Sequence, residues 1–190
     1  MKFLLRWIFR KQINKINDQI FNLEYRNYEL VKKIESKDNL VANYLELTHR
    51  ILQYSCNSIF QIVRKEDSII FVVKEEDSKT LSFFLYSLEY QRLVPRIYTT
   101  KCINHQSELS RYTYLHIDDF LVTEQNIGNG GLLMENLIKY AKSQGFKYIF
   151  GKLSPVDKDH FDKLDYFYKK YGFEVSFNSN RDSGCIKLKL

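Results

Sequence analysis

Apolar residues in the first part of the chain return at alternating steps of three and four: Ile13, Ile16, Ile20, Leu23, then Leu30 and Ile34. That spacing gathers them on one seam of a helix. Asn27 takes the a-type place in the series, where a buried asparagine fixes register at some cost in stability. No proline or glycine falls between residues 8 and 47, so a helix is predicted there. Ser36-Lys37-Asp38-Asn39 is expected to interrupt it, with Asn39 capping a second helix through Leu40, Val41, Tyr44, Leu47 and Ile51. Two readings of the seam stay open: a paired helix, giving a homodimer, or a long helix lying against its own domain.

From Ser58 the period drops to two. Strands are predicted at 59–63, 69–73, 81–88, 96–100 and 112–122, with turns at Lys65-Glu66-Asp67-Ser68 and Glu75-Glu76-Asp77-Ser78 and a polar loop over 104–110. Pro95 marks an element boundary. Leu132 to Ser143 reads as a helix ended by Gly145, and Tyr148 to Leu153 as a strand. A helix is expected from about Asp157 to Tyr171, ended by Gly172, before closing strands at 173–177 and 185–190. The order predicts an α+β fold, α/β/α layered, around a mixed and mostly antiparallel sheet with a central strand–glycine loop–helix–strand. The expected division is a helical segment over 1–38 and a domain over 39–190.

Composition narrows the classes. Apolar residues make up 44% of the 190-residue chain, enough for a sizeable core and too many for disorder. The net charge is +6, but 23 acids are interspersed among 29 bases, so nucleic acid is not expected as a partner; a polyanionic cosubstrate suits the charge better. Cys56, Cys102 and Cys185 are odd in number and form no CxxC pair, as expected of ordinary thiols in the cytoplasm. The opening MKFLLRWIFR is interrupted by Arg6 and too short to span a bilayer. It is expected to dock as a helical turn rather than to touch a membrane.

The candidate chemistry centres on Gln125-Asn126-Ile127-Gly128-Asn129-Gly130-Gly131, between an apolar strand and a helix. A glycine turn there lets backbone N–H groups converge on an anion at the helix start. The spacing lacks the third glycine of a dinucleotide fingerprint and the Gly-Lys-Ser/Thr of a phosphate loop. The wider segment, roughly 110–177, resembles the acyl-coenzyme-A binding core of the Gcn5-related N-acetyltransferase (GNAT) superfamily, which has Arg/Gln-x-x-Gly-x-Gly/Ala between strand and helix. Gln125, Gly128 and Gly130 stand in those places, Ala141 and Gly145 match the helix that follows, and Phe167-Tyr168-Lys169-Lys170-Tyr171-Gly172-Phe173 matches a frequent family ending, Phe-Tyr-x-x-x-Gly-Phe. Ile127 stands where arginine is usual, the stretch from Val122 to Gln125 is about two residues shorter than usual, and Phe161 and Leu164 replace a helix asparagine and alanine.

The resemblance implies an acetyltransferase that moves an acetyl group from acetyl-CoA to an amine. It further implies that amides from Ile127 to Leu132, with Gln125, Asn126, Gly128, Asn129, Gly130 and Gly131, hold the pyrophosphate. Phe120, Leu121 and Val122 would pair with the pantetheine arm where their strand splays from the strand at Tyr148–Leu153, and Ser154 would sit at the mouth of that gap. Tyr168 is the implied acid for the departing thiolate. For the base, His116 and Asp118 share a strand face by two-residue alternation, with Asp119 expected on the other. Histidine is the side chain that changes charge near neutral pH. Glu124 is expected to face solvent. Asp157, His160, Asp162 and Asp165 read as a solvated helix face, and no metal is expected. The alternative function is a weakly active or inactive protein of this fold that works in protein–protein interaction through its N-terminal helix.

Overall fold

The computed structural model describes residues 2–65, 68–90, 94–105, 111–122 and 128–190, with side chains from residue 13 onward except at 104, 105, 111 and 112. It divides into two compact units, Met1–Thr48 and His49–Leu190. The described residues of the first are all helical. Helix α1 (Lys2–Leu52) runs unbroken for 51 residues, so the interruption expected at Ser36–Asn39 is absent. The reason is local. None of those four residues removes a backbone donor, and the Ser36 hydroxyl, which elsewhere would compete for the backbone, donates to Lys33 O at 2.9 Å within the helix.

Among the described residues the second unit has eight strands: β1 (Asn57–Lys65), β2 (Ser68–Glu76), β3 (Thr80–Tyr86), β4 (Arg96–His105), β5 (Arg111–Leu121), β6 (Tyr148–Leu153), β7 (Glu174–Phe177) and β8 (Gly184–Lys189). Their spatial order is β1-β2-β3-β4-β5-β6-β8-β7. Every neighbouring pair is antiparallel except β5 and β6, which are parallel and joined through helix α2 (Asn129–Ser143). This is the mixed α+β sheet that the alternation predicted. β4 and β5 run further than expected, pairing as far as His105 opposite Arg111, so Asn104 and His105 belong to a strand rather than a loop. Residues 66 and 67 of the first predicted turn lie outside the described residues.

The core explains the periods. Leu133, Met134, Leu137 and Ala141 of α2 are wholly buried with Leu81, Phe83, Leu85, Ile97, Leu115 and Ile149 of the sheet. Steps of three and four on α2 thus meet steps of two on the strands. Gly145 (φ 74°) and Gly172 (φ 83°) close α2 and the next helix in the left-handed region that glycine alone enters cheaply. That next helix, α3 (Phe161–Lys170), is preceded by a 3-10 turn over Pro155–His160, so helical structure begins slightly before Asp157 and tightens first. Among the described residues no helix is long and apolar enough to cross a membrane.

Candidate functional site

Among the described residues no side chain caps the start of α2. Gly128 takes the N-cap place at φ 87° and has no side chain with which to bond the first-turn amides. Its carbonyl accepts the first helical bond, from Leu132 N at 3.0 Å. The amides of Asn129, Gly130 and Gly131 precede that bond, and no acidic side chain occupies the first turn. Glu124, Gln125, Asn126 and Ile127 lie outside the described residues.

The three glycines have different causes. A Cβ on Gly128 would meet nothing within 4 Å, so only its φ demands glycine. A Cβ on Gly130 would stand 3.3 Å from Val122 Cγ2 and 3.5 Å from both Phe120 Cζ and Phe167 Cε2. One on Gly131 would stand 2.5 Å from Tyr171 Oη. Two of the glycines therefore let α2 approach β5 and α3. Asn129 is buried and its Nδ2 donates to Tyr90 Oη at 2.7 Å, which ties the helix start to the β3–β4 connection.

Phe120 and Val122 reach Gly130 because of a bulge. Asp119 lies opposite Tyr98 and Ile117 opposite Thr99, so β4 skips Asp118. Before the bulge the core positions are Leu115 and Ile117; after it they are Phe120 and Val122, a change of parity that one inserted residue produces. At the same place the sheet opens. The parallel ladder of β5 with β6 ends at Ile117 opposite Gly151, while β5 continues to Leu121 against β4 and β6 to Leu153 against β8. The two strands part there, with the backbone edges of residues 118–121 and 152–153 turned toward the opening.

His116 and Asp118 are brought together. His116 Nδ1 donates to Asp118 Oδ1 at 2.8 Å, and Thr100 Oγ1 donates to Asp118 Oδ2 at 2.7 Å. In a neutral imidazole this bond puts the proton on Nδ1 and leaves Nε2 as the acceptor. The imidazole lies 5.6 Å from the Phe150 ring. The chain of three sits on the sheet face opposite the core positions Leu115 and Ile117. Asp119 does not lie on the other face, as alternation predicted. The bulge turns it to the same one, where it opposes Tyr98 and comes within 3.9 Å of Arg96 Nε.

Tyr168 lies elsewhere. It is 4% exposed, with the Phe167 and Phe173 rings 5.4 Å away. Burial, with a smaller push from Asp157, raises its phenol well above the ordinary tyrosine range, so the hydroxyl keeps its proton at neutral pH. Phe167 in turn packs on Phe120 at 5.6 Å, which connects Tyr168 to the strand beside the gap. No described hydrogen bond or ring contact joins Tyr168 to the His116–Asp118 pair. Ser154 follows the last residue of β6 and caps the 3-10 turn, accepting from Val156 N at 3.5 Å.

Phe161 is buried with its ring 4.9 Å from Phe177 and serves the core. Asp162 pairs with Arg181, and Asp165 with Lys169 at 2.9 Å. Among the described residues no three His, Cys, Asp or Glu side chains are placed to hold a metal ion. Thr100, Phe150, Phe167 and Tyr171 were missed by the sequence reading. Only strand pairing reveals Thr100 and Phe150, whereas Phe167 and Tyr171 stood in the matched ending without an assigned role.

No family model matches the chain. It is 32% identical over 73 residues to YocC of Bacillus subtilis (strain 168), an uncharacterized protein; the match takes in 38% of this chain and spans less than half, 44%, of that protein. In fold it is similar to Arabidopsis thaliana NAA60 in complex with acetyl-CoA, at TM-score 0.47 and 14% identity over 60% of this chain and 78% of that one. It is also similar to an acetyltransferase from Streptococcus agalactiae, at TM-score 0.41 and 18% identity over 57% and 67% of the two chains. A third similar structure is a streptothricin acetyltransferase from Bacillus anthracis in complex with acetyl coenzyme A, at TM-score 0.40 and 14% identity over 71% and 86%.

Proposed function

We propose that the chain is an acyl-CoA-dependent N-acetyltransferase of the GNAT fold, acting on an amine. The observation that carries this reading is the parting of β5 from β6 at the Asp118 bulge, beside the glycine-led start of α2. The residues present suit a pantetheine pyrophosphate. First-turn amides and the helix dipole favour negative charge, and Gly128 leaves the approach open. Phe120, Leu121 and Val122 offer the strand edge along which an amide-bearing arm can bond.

Acetyl-CoA supplies an activated thioester carbon. In this reading Tyr168 would serve the sulfur and His116 the amine. His116 Nε2 takes the proton of the incoming amine, while Asp118, itself held by Thr100, keeps the imidazole in the accepting tautomer. As the new C–N bond forms and the C–S bond breaks, Tyr168 donates its proton to the leaving sulfur.

Titration calorimetry with acetyl-CoA tests the reading. Saturable binding in the micromolar range is expected, lost in Gly128→Val; absence of heat up to millimolar cosubstrate would reject it. A second reading is favoured by Ile127 and by the buried Phe161, which replace the family's arginine and asparagine. In it the protein is catalytically weak and works through its N-terminal helix in protein–protein interaction. Binding of acetyl-CoA with no release of coenzyme thiol across a panel of primary amines would favour this second reading.

A further inference from the structure

The acyl-transfer reading leaves the seam of α1 unused. We propose that α1 pairs with α1 of a second copy as a parallel, in-register two-stranded coiled coil over residues 13–38, making the protein a homodimer independently of any catalytic activity. Ile13, Ile20 and Ile34 occupy a positions, and Ile16, Leu23 and Leu30 occupy d positions. All six are between 48% and 59% exposed, although they are aligned on one face of an unbroken helix. β-Branched residues at a with leucine at two of the first three d positions, the fourth being Lys37 at the end of the seam, are the pattern that selects two parallel strands over three or four.

Asn27 decides the orientation. In a parallel, in-register pair the a position faces its own copy, so the two Asn27 amides bond each other. In an antiparallel pair an a residue faces a d residue; Ile16, Leu23 and Leu30 are aliphatic and Lys37, the d position at the end of the seam, offers a cation rather than a matching amide. The flanking charges agree. In the parallel register each g residue faces the e residue five positions on in the second copy. Lys33 then meets Asp38 of the second copy, Gln19 meets Glu24 and Arg26 meets Val31, so one pair is attractive and none is repulsive.

Light scattering on the full chain at tens of micromolar is expected to give twice the 22.8 kDa chain mass. The double variant Ile20→Lys, Leu30→Lys places two charges in the seam and changes no residue of the His49–Leu190 unit. It is expected to give the single-chain mass at the same concentration, with the thermal transition of that unit retained. Mild oxidation of Ile20→Cys is expected to yield a reducible dimer band well above that of the parent, whose three native cysteines set the background. Asn27→Ile is expected to raise dimer stability and to broaden the mass distribution. A parent of single-chain mass, a trimer or tetramer, a dimer indifferent to the two lysines, or a dimer without a cross-link at position 20 would each overturn the proposal.

Discussion

Tyr168 carries one polar atom into a nest of rings, and two consequences separate there. Tyr168→Phe keeps the ring packing with Phe167 and Phe173 and deletes only the hydroxyl. If that hydroxyl protonates the leaving sulfur, acetyl-CoA affinity holds within a few-fold while turnover falls, by roughly tenfold to ten-thousandfold. Stopped assays of thiol release beside calorimetry measure both. Turnover equal to the parent in a folded variant removes the acid role. The glycines make a second contrast. Gly128→Val must hold a β-branched residue at φ 87°, costing roughly 1–3 kcal/mol through backbone strain alone. Gly131→Ala meets Tyr171 Oη instead, so Tyr171→Phe is expected to restore its melting temperature, whereas the same phenylalanine does nothing for Gly128→Val. Equal rescue of both variants would refute this division of labour. The sequence made the glycine cluster conspicuous but not its reasons. Three glycines in one turn suggest a single cause, and only the neighbours Phe120, Phe167 and Tyr171 separate conformation from close packing.

Most elements were readable because burial imposes a period on them, and the misses fall where one residue breaks the period. Asp118 looks like an ordinary member of an alternating strand, and counting by two sends Asp119 to the wrong face. The bulge is legible only from the skipped partner on β4. It also fixes which side of β5 meets α2. Deleting Asp118 is therefore expected to rotate Phe120 and Val122 away from Gly130 and Phe167, costing about 2–4 kcal/mol in burial. Asp118→Asn keeps the residue count and should keep the stability, losing turnover only. Chemical denaturation of the two variants distinguishes them, and equal stability would show that the bulge does not set the register.

Glu76 joins three elements in a way that sequence could not announce, since its partners lie on β2, β4 and α2. It accepts from Lys74 at 2.6 Å, from Lys101 at 2.7 Å and from the Tyr140 hydroxyl. Partial burial pushes its carboxyl upward, but the hydrogen bonds from Lys101, Lys74 and Tyr140 outweigh that and bring it to about 2, from an ordinary 4.5. A carboxylate lowered by folding stabilises the fold above its unfolded value, and the contribution disappears as pH falls through the folded one. Melting temperature is therefore expected to decline between about pH 5 and pH 2, by an amount equivalent to roughly 1–3 kcal/mol for this group. Glu76→Gln should be less stable than the parent at neutral pH and should flatten part of that acid limb. An unchanged limb in the variant would assign the acid sensitivity to other carboxylates.

At the scale of the whole molecule, all the described candidate site residues belong to the His49–Leu190 unit, while the unassigned seam belongs to Met1–Thr48. The domain boundary expected after residue 38 rested on a helix break that α1 does not have, so truncation there is a sharper test than the sequence pattern was. Removing residues 1–38 keeps the last turns of α1, including buried Leu47 and Ile51, and the bond from Asn57 Nδ2 to Ile51 O at 3.1 Å. The thermal midpoint of the remainder should thus stay within a few degrees of the parent, since each kilocalorie lost shifts a domain of this size by about 2–8 °C. Acetyl-CoA affinity should hold within a few-fold, because the start of α2, the bulge and the parted strands are untouched. The mass in solution should fall to that of one shortened chain. Loss of acetyl-CoA binding from a folded truncate would mean that the helix contributes to the site, and the division of roles between the units would have to be abandoned. Retained binding with a retained dimer would instead move the self-association surface onto the sheet unit, leaving α1 free for another role.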